Sequence, residues 1–217
     1  MHWLMRPSLF CRQTTAGVAI ALSVACSHIP SAGFWFQEGG MNLPGAVAAR
    51  VGGPLAQEEL ALIERIARAE VQRAFGGLAI DVTSEQQAFW RVVVVESLPT
   101  GRTAPRAGES IAMGFLGGSG AVGFDFVATQ AVHFAGPDEP RPSIVAAIGR
   151  GIGRVAIHEF MHQMLGASIA HNDADLDSYE HGRPDRRSQY YGELHWTTAW
   201  PLLEQTFGLR RTLNFEP

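Results

Sequence analysis

The sequence predicts an α+β domain in which a mixed β-sheet packs on two helices, and three stretches carry that prediction. Leu60, Ile63, Ala67, Val71, Ala74 and Phe75 recur at three and four residues, the apolar stripe of an amphipathic helix. Phe89-Trp-Arg-Val-Val-Val-Val-Glu96 is β-branched and nearly continuous, as expected of a strand at the centre of a sheet. A second helical pattern runs from Ile144 to Gly166, with Ser143 as its N-cap. The chain has 217 residues, 46% of them hydrophobic, enough to bury one core without disulfide support.

The N-terminal 25 residues read as an export signal. Arg6 and Arg12 precede Ala16–Ala25, an apolar run too short to span a bilayer, and Ser23-Val24-Ala25 supplies small residues for cleavage. Cys26 follows at once, and Leu22-Ser-Val-Ala-Cys26 resembles a bacterial lipobox with its leucine one place upstream. That resemblance implies lipidation of Cys26 and a membrane anchor in the cell envelope; plain cleavage after Ala25 is the alternative. Without Arg6 and Arg12 the chain keeps 15 basic against 21 acidic residues, a net charge of −6. All 17 basic residues are arginine, and no basic cluster with interleaved aromatics occurs, so nucleic acid is not an expected partner. Cys11 leaves with the signal, so Cys26 has no intramolecular partner.

Residues 26 to 53, rich in Gly, Pro, Ala and Ser, are expected to form a tether, with Phe34-Trp-Phe36 its one apolar knot. The folded domain is then 54–217. Pro54 and Gly76-Gly77 bracket the scaffold helix, and Glu64 and Arg68 form an i,i+4 pair on its outer side. Leu78–Val82 is a short strand candidate, and Leu98–Glu109, with two prolines and two glycines, a surface loop. Ile111–Leu116 and Ala121–Phe126 read as a hairpin turning at Gly117–Gly120, with Val132-His133-Phe134 a further short strand.

The second helix carries His158-Glu159-Phe-Met-His162. Residues four apart stack on one face of a helix, so both imidazoles can reach one ion. Glu159 lies about 100° round, beside such an ion. On the opposite face Ala156, Phe160, Met164, Gly149 and Gly153 can be buried. Three glycines in Gly149-Arg-Gly-Ile-Gly153 cost a helix about 1 kcal/mol each. Either the helix begins near Arg154, or the small residues permit tight packing.

His-Glu-x-x-His on a helix after a mixed sheet resembles the zincin metallopeptidases, and a glycine turn followed by a histidine resembles their metzincin branch. The resemblance implies a small zincin-like fold, a Zn2+ cofactor held by His158 and His162, and Glu159 as the catalytic base. It implies hydrolysis of a peptide or protein substrate. Metzincin spacing places glycine and the third ligand where this chain has Leu165 and Ser168; here they are Gly166 and His171, and no methionine follows Met164 to make a Met-turn. His171 ranks first as third ligand, with Asp173, Asp175 and Glu180 as alternatives, the last by analogy with gluzincins. In zincins a tyrosine or histidine beyond the third ligand often donates to the oxyanion; Tyr190, Tyr191, His181 and His195 are candidates. Asp173-x-Asp175-x-Asp177 also resembles the start of a calcium loop. Ser178 and Pro184 occupy the places of its glycine and glutamate, so a solvated acidic loop is expected. Beyond these, Pro201–Phe207 reads as a short helix stopped by Gly208. The expectation is an exported zinc peptidase. The alternative is a non-enzymatic envelope lipoprotein that binds a partner, its motif structural or vestigial.

Overall fold

The computed structural model describes residues 29–99, 107–112, 117–166 and 171–210. The expected signal sequence and Cys26 lie outside these residues. Five strands form one mixed sheet: β1 (Ser31–Phe36), β2 (Asp81–Thr83), β3 (Trp90–Val95), β4 (Gly108–Ala112) and β5 (Gly118–Gly123). Their order is β2-β1-β3-β5-β4; all neighbours are parallel except β4, which runs antiparallel to β5 at the edge. The helices are α1 (Gly45–Val51), α2 (Gln57–Phe75), α3 (Phe124–His133), α4 (Arg141–Leu165), α5 (Ser188–Tyr191) and α6 (Ala199–Phe207). The fold is α+β, as the sequence predicts.

The scaffold helix is α2. Its stripe residues Ile63, Ala67, Val71, Ala74 and Phe75 are buried, and Glu64 and Arg68 pair at 3.0 Å on a half-buried flank, where Arg68 also donates to the Phe34 carbonyl of β1. β3 holds the centre of the sheet, with Trp90, Val92 and Val94 buried on the face that meets the helices. Its other face is only partly covered, so the β-branched run reflects a central strand with one fully buried side.

The tether expected over 26–53 is not one throughout. Phe34-Trp-Phe36 lies in β1, between β2 and β3, with Ala32 and Phe34 fully buried, and Gly45–Val51 forms α1. The glycines and prolines that suggested a linker mark the turns round these elements: Gly39 and Gly40 after β1, Pro44 before α1, and Gly52 with φ +84° closing it.

Other boundaries also shift. The expected hairpin forms as β4 antiparallel to β5, but β5 spans Gly118–Gly123, so Gly118 and Gly120 of the expected turn are strand residues, packed where side chains would not fit. Phe124–His133 is a helix, not strand; Phe124, Val127, Ala128 and Ala131 recur at three and four residues and are buried together. α4 begins at Arg141, before Ser143, with Pro142 in the first turn, where its missing N–H is not needed.

α4 then runs unbroken through its three glycines. A Cβ at Gly149 would lie 2.9 Å from the Ile63 carbonyl oxygen, and one at Gly153 would lie 2.6 Å from that of Ala67. The two glycines, four residues apart, let α2 cross α4 nearly backbone to backbone. Gly151 faces elsewhere, against the ring of Tyr190. Close packing therefore offsets their propensity cost of about 3 kcal/mol. This brings the C-terminal half of α4 under the β5–β4 edge of the sheet.

Candidate metal centre

α4 presents His158 and His162 on its front face while Ala156 and Phe160 are fully buried behind. The loop after the helix brings His171 to the same point. His162 Nε2 lies 3.0 Å from His158 Nε2 and 3.0 Å from His171 Nε2. Ligand nitrogens from the three residues all fall within 4.8 Å of one another. One Nε2 has a single in-plane lone pair or hydrogen, so it cannot satisfy two such neighbours by hydrogen bonding. Nitrogens about 2.0–2.1 Å from a shared tetrahedral ion stand roughly 3.3 Å apart. The three histidines are close enough to bind a metal ion.

The surroundings favour ligation. His158 Nδ1 donates to the Tyr179 carbonyl at 2.9 Å, which leaves Nε2 as the free nitrogen. Burial lowers the His158 pKa to about 4, so its ring is neutral over the usual range, as a ligand must be. Burial also lowers that of His162.

Glu159 sits one residue along, 7% exposed, against the edge strand. A Cβ on Gly108 would come 2.5 Å from its Oε1, so the glycine makes room for the carboxylate. Burial pushes the Glu159 pKa up to about 7, although a hydrogen bond from Ser110 pulls it down. Both protonation states are thus accessible near neutral pH.

The other third-ligand candidates are engaged elsewhere. Asp173 accepts from the Gly182 N–H at 3.1 Å, and Asp175 pairs with His195 at 3.0 Å. Glu180 is fully buried and accepts from the N–H groups of Thr197 and Ala199. Asp177 donates its N–H to Asp175, and no calcium cage forms among the described residues. Of the four oxyanion candidates, His181 alone lines the cleft with the histidine cluster. Tyr190 is buried and donates to the Pro184 carbonyl, Tyr191 donates to that of Ala131, and His195 faces a separate groove.

The cleft has a volume of about 470 Å³ and is walled by β4 on one side and residues 179–184 on the other. The Gly123 N–H donates to the Ala107 carbonyl at 2.9 Å, which fixes the ladder's alternation. Glu109 and Ile111 therefore turn their backbone groups to β5, whereas Gly108, Ser110 and Ala112 turn theirs to the outer edge, which is free among the described residues.

Four contributors escape a reading of the sequence alone: the Tyr179 carbonyl, Gly108, Gly182 and Gln163. The first three act through backbone or through an absent side chain. Gln163 did carry a signal, an amide one helical turn beyond Glu159. Its amide pairs with the N–H and the carbonyl of Arg91 at 3.1 Å each, while its stem fills the space over Gly118. It fixes the end of α4 on β3 and β5, one residue from His162.

Compared with protein-family models, curated proteins and solved structures, the chain matches none.

Proposed function

We propose that this protein is a zinc-dependent peptidase of zincin type, exported by its N-terminal signal and, through Cys26, lipid-anchored in the cell envelope. The observation that carries the reading is the convergence of three imidazole nitrogens beside a buried carboxylate, in a cleft bounded by a free sheet edge. His158, His162 and His171 would hold the ion, a neutral three-nitrogen donor set suited to zinc. Bound there, zinc supplies Lewis acidity that polarises a carbonyl and lowers the pKa of water to about 7.

Residues of the chain do the rest. An extended peptide adds to the free edge of β4 through the backbone groups of Gly108 and Ser110, which places a scissile carbonyl beside Glu159. Glu159 takes the proton from the attacking water and returns it to the leaving amine. Its burial against Gly108 keeps competing solvent away from the carboxylate.

Metal analysis and one variant test this. The purified chain should carry about one zinc, and Glu159→Gln should keep it while hydrolysis of a peptide mixture falls by roughly 10²-fold or more. A chain that binds no zinc overturns the proposal in favour of a non-enzymatic envelope protein. Undiminished hydrolysis by the variant overturns the role of Glu159.

A further inference from the structure

Glu180 is a fully buried carboxylate that the proposed chemistry does not use. Its Oε1 accepts from the N–H of Thr197 and of Ala199, both at 2.8 Å. These groups lead into α6, where the positive end of the helix dipole favours an anion. Its backbone carbonyl accepts from the Asn172 N–H at 3.2 Å, directly after His171. Asn172 is tied to the same anchor again, its Nδ2 donating to Thr197 Oγ1 at 2.9 Å. One residue before Glu180, the Tyr179 carbonyl holds Nδ1 of His158. The dipeptide 179–180 thus touches both sources of the cluster, the rigid helix and the loop that follows it.

We infer that Glu180 is a positioning residue for the metal centre. Its carboxylate fastens the 171–181 loop to the start of α6, and thereby sets His171 against the two helix histidines. The helix alone can place only His158 and His162, since one face offers two ligands a turn apart. The third nitrogen must be held to within about 0.5 Å by structure outside α4. Described hydrogen bonds tie the loop to Thr197, His195, Arg186 and His158, and within the loop Glu180 is the fully buried carboxylate. This inference rests on reading the three histidines as metal ligands.

The test compares zinc affinity, by competition with a chromophoric chelator, in the wild-type chain and in Glu180→Gln, Thr197→Val and Leu203→Ala. Glu180→Gln loses the charge that strengthens both bonds and should bind zinc about tenfold more weakly, within the range for residues that orient metal ligands. Thr197→Val removes only the Asn172 strut, and a drop of about threefold is expected. Leu203 is buried in α6 and makes none of these side-chain bonds, so Leu203→Ala destabilises the same helix but should leave affinity within about twofold. The visible absorption of the Co2+-loaded chain, which reports coordination geometry, should change in Glu180→Gln and stay constant in Leu203→Ala. Wild-type affinity and spectrum in Glu180→Gln would overturn the inference. Equal losses in Glu180→Gln and Leu203→Ala would reduce Glu180 to a helix cap. Should Glu180→Gln fail to fold, unchanged affinity in Thr197→Val overturns it instead. A wild-type chain that takes up no zinc overturns the metal reading itself, a separate result.

Discussion

Gly182 leaves the space that the His171 ring fills. A Cβ there would meet Nδ1 at 2.5 Å and Cγ and Cε1 at 3.0 Å each, so the ring has to tilt or withdraw if the residue gains a side chain. Gly182 does not adopt the left-handed backbone that penalises alanine, so a substitution acts through the contact alone. Gly182→Ala is therefore expected to leave the fold intact by circular dichroism while zinc affinity falls about tenfold or more. Affinity equal to wild type would place His171 outside the ligand set. The other candidates commit carboxylate oxygens elsewhere: Asp173 Oδ1 to the Gly182 N–H, Asp175 Oδ2 to His195, and Glu180 Oε1 to the start of α6. His158 shows the complementary case, with its Nδ1 committed to a carbonyl and its Nε2 left for the ion.

Helix α4 combines two demands that its sequence sets against each other. Its front must hold His158 and His162 in register, which calls for a stiff helix, yet Gly149 and Gly153 weaken helical propensity. Contact with α2 resolves this, because backbone-to-backbone packing needs the missing Cβ atoms. Gly153→Ala gains about 1 kcal/mol of propensity but meets the Ala67 carbonyl oxygen at 2.6 Å. Overpacking of about 1–3 kcal/mol should win and lower stability, as read by the urea midpoint. An unchanged or higher midpoint would mean that the helices can move apart freely. At its other end α4 is fixed on the sheet by Gln163, and the edge strand β4 then lies over Glu159.

Across the molecule, Arg141 gathers the elements farthest along α4 from the site. Its guanidinium pairs with Glu59 of α2 at 2.7 Å and donates to the carbonyls of Val51, Gly53 and Pro54, closing the end of α1. The Arg141 hydrogen bond is the largest cause holding the Glu59 pKa below its ordinary value of 4.5. A lowered folded-state pKa means that the folded chain resists protonation more than the unfolded one. The pair's contribution is thus complete above about pH 4.5 and fades as pH falls through the depressed folded value. Glu59→Gln should flatten the acid limb of the stability curve, measured by denaturant unfolding across pH 2–6. A limb of wild-type steepness would exclude Glu59 as a source. The effect is small because the pair is partly solvated.

Much of this was legible in the sequence because it is local. Apolar spacing gave α2, the β-branched run gave β3, and His158, Glu159 and His162 lie within one and a half turns of a helix, so periodicity alone aligns them. β1 was hidden because turn-forming residues surround a six-residue strand whose pairing partners lie some fifty residues away. The two ends of α3 suggest strand because Phe124–Phe126 and Val132–Phe134 are short, mostly apolar runs that suit either period. The third ligand stayed open among four residues because nothing local distinguishes a loop histidine from a loop carboxylate. Tertiary structure brings one of the four to the helix histidines: Glu180 is drawn to the start of α6, Asp175 to His195 and Asp173 to Gly182, and His171 faces His162. A ligand pair is set by helix geometry, whereas a third ligand is set by everything the loop around it binds.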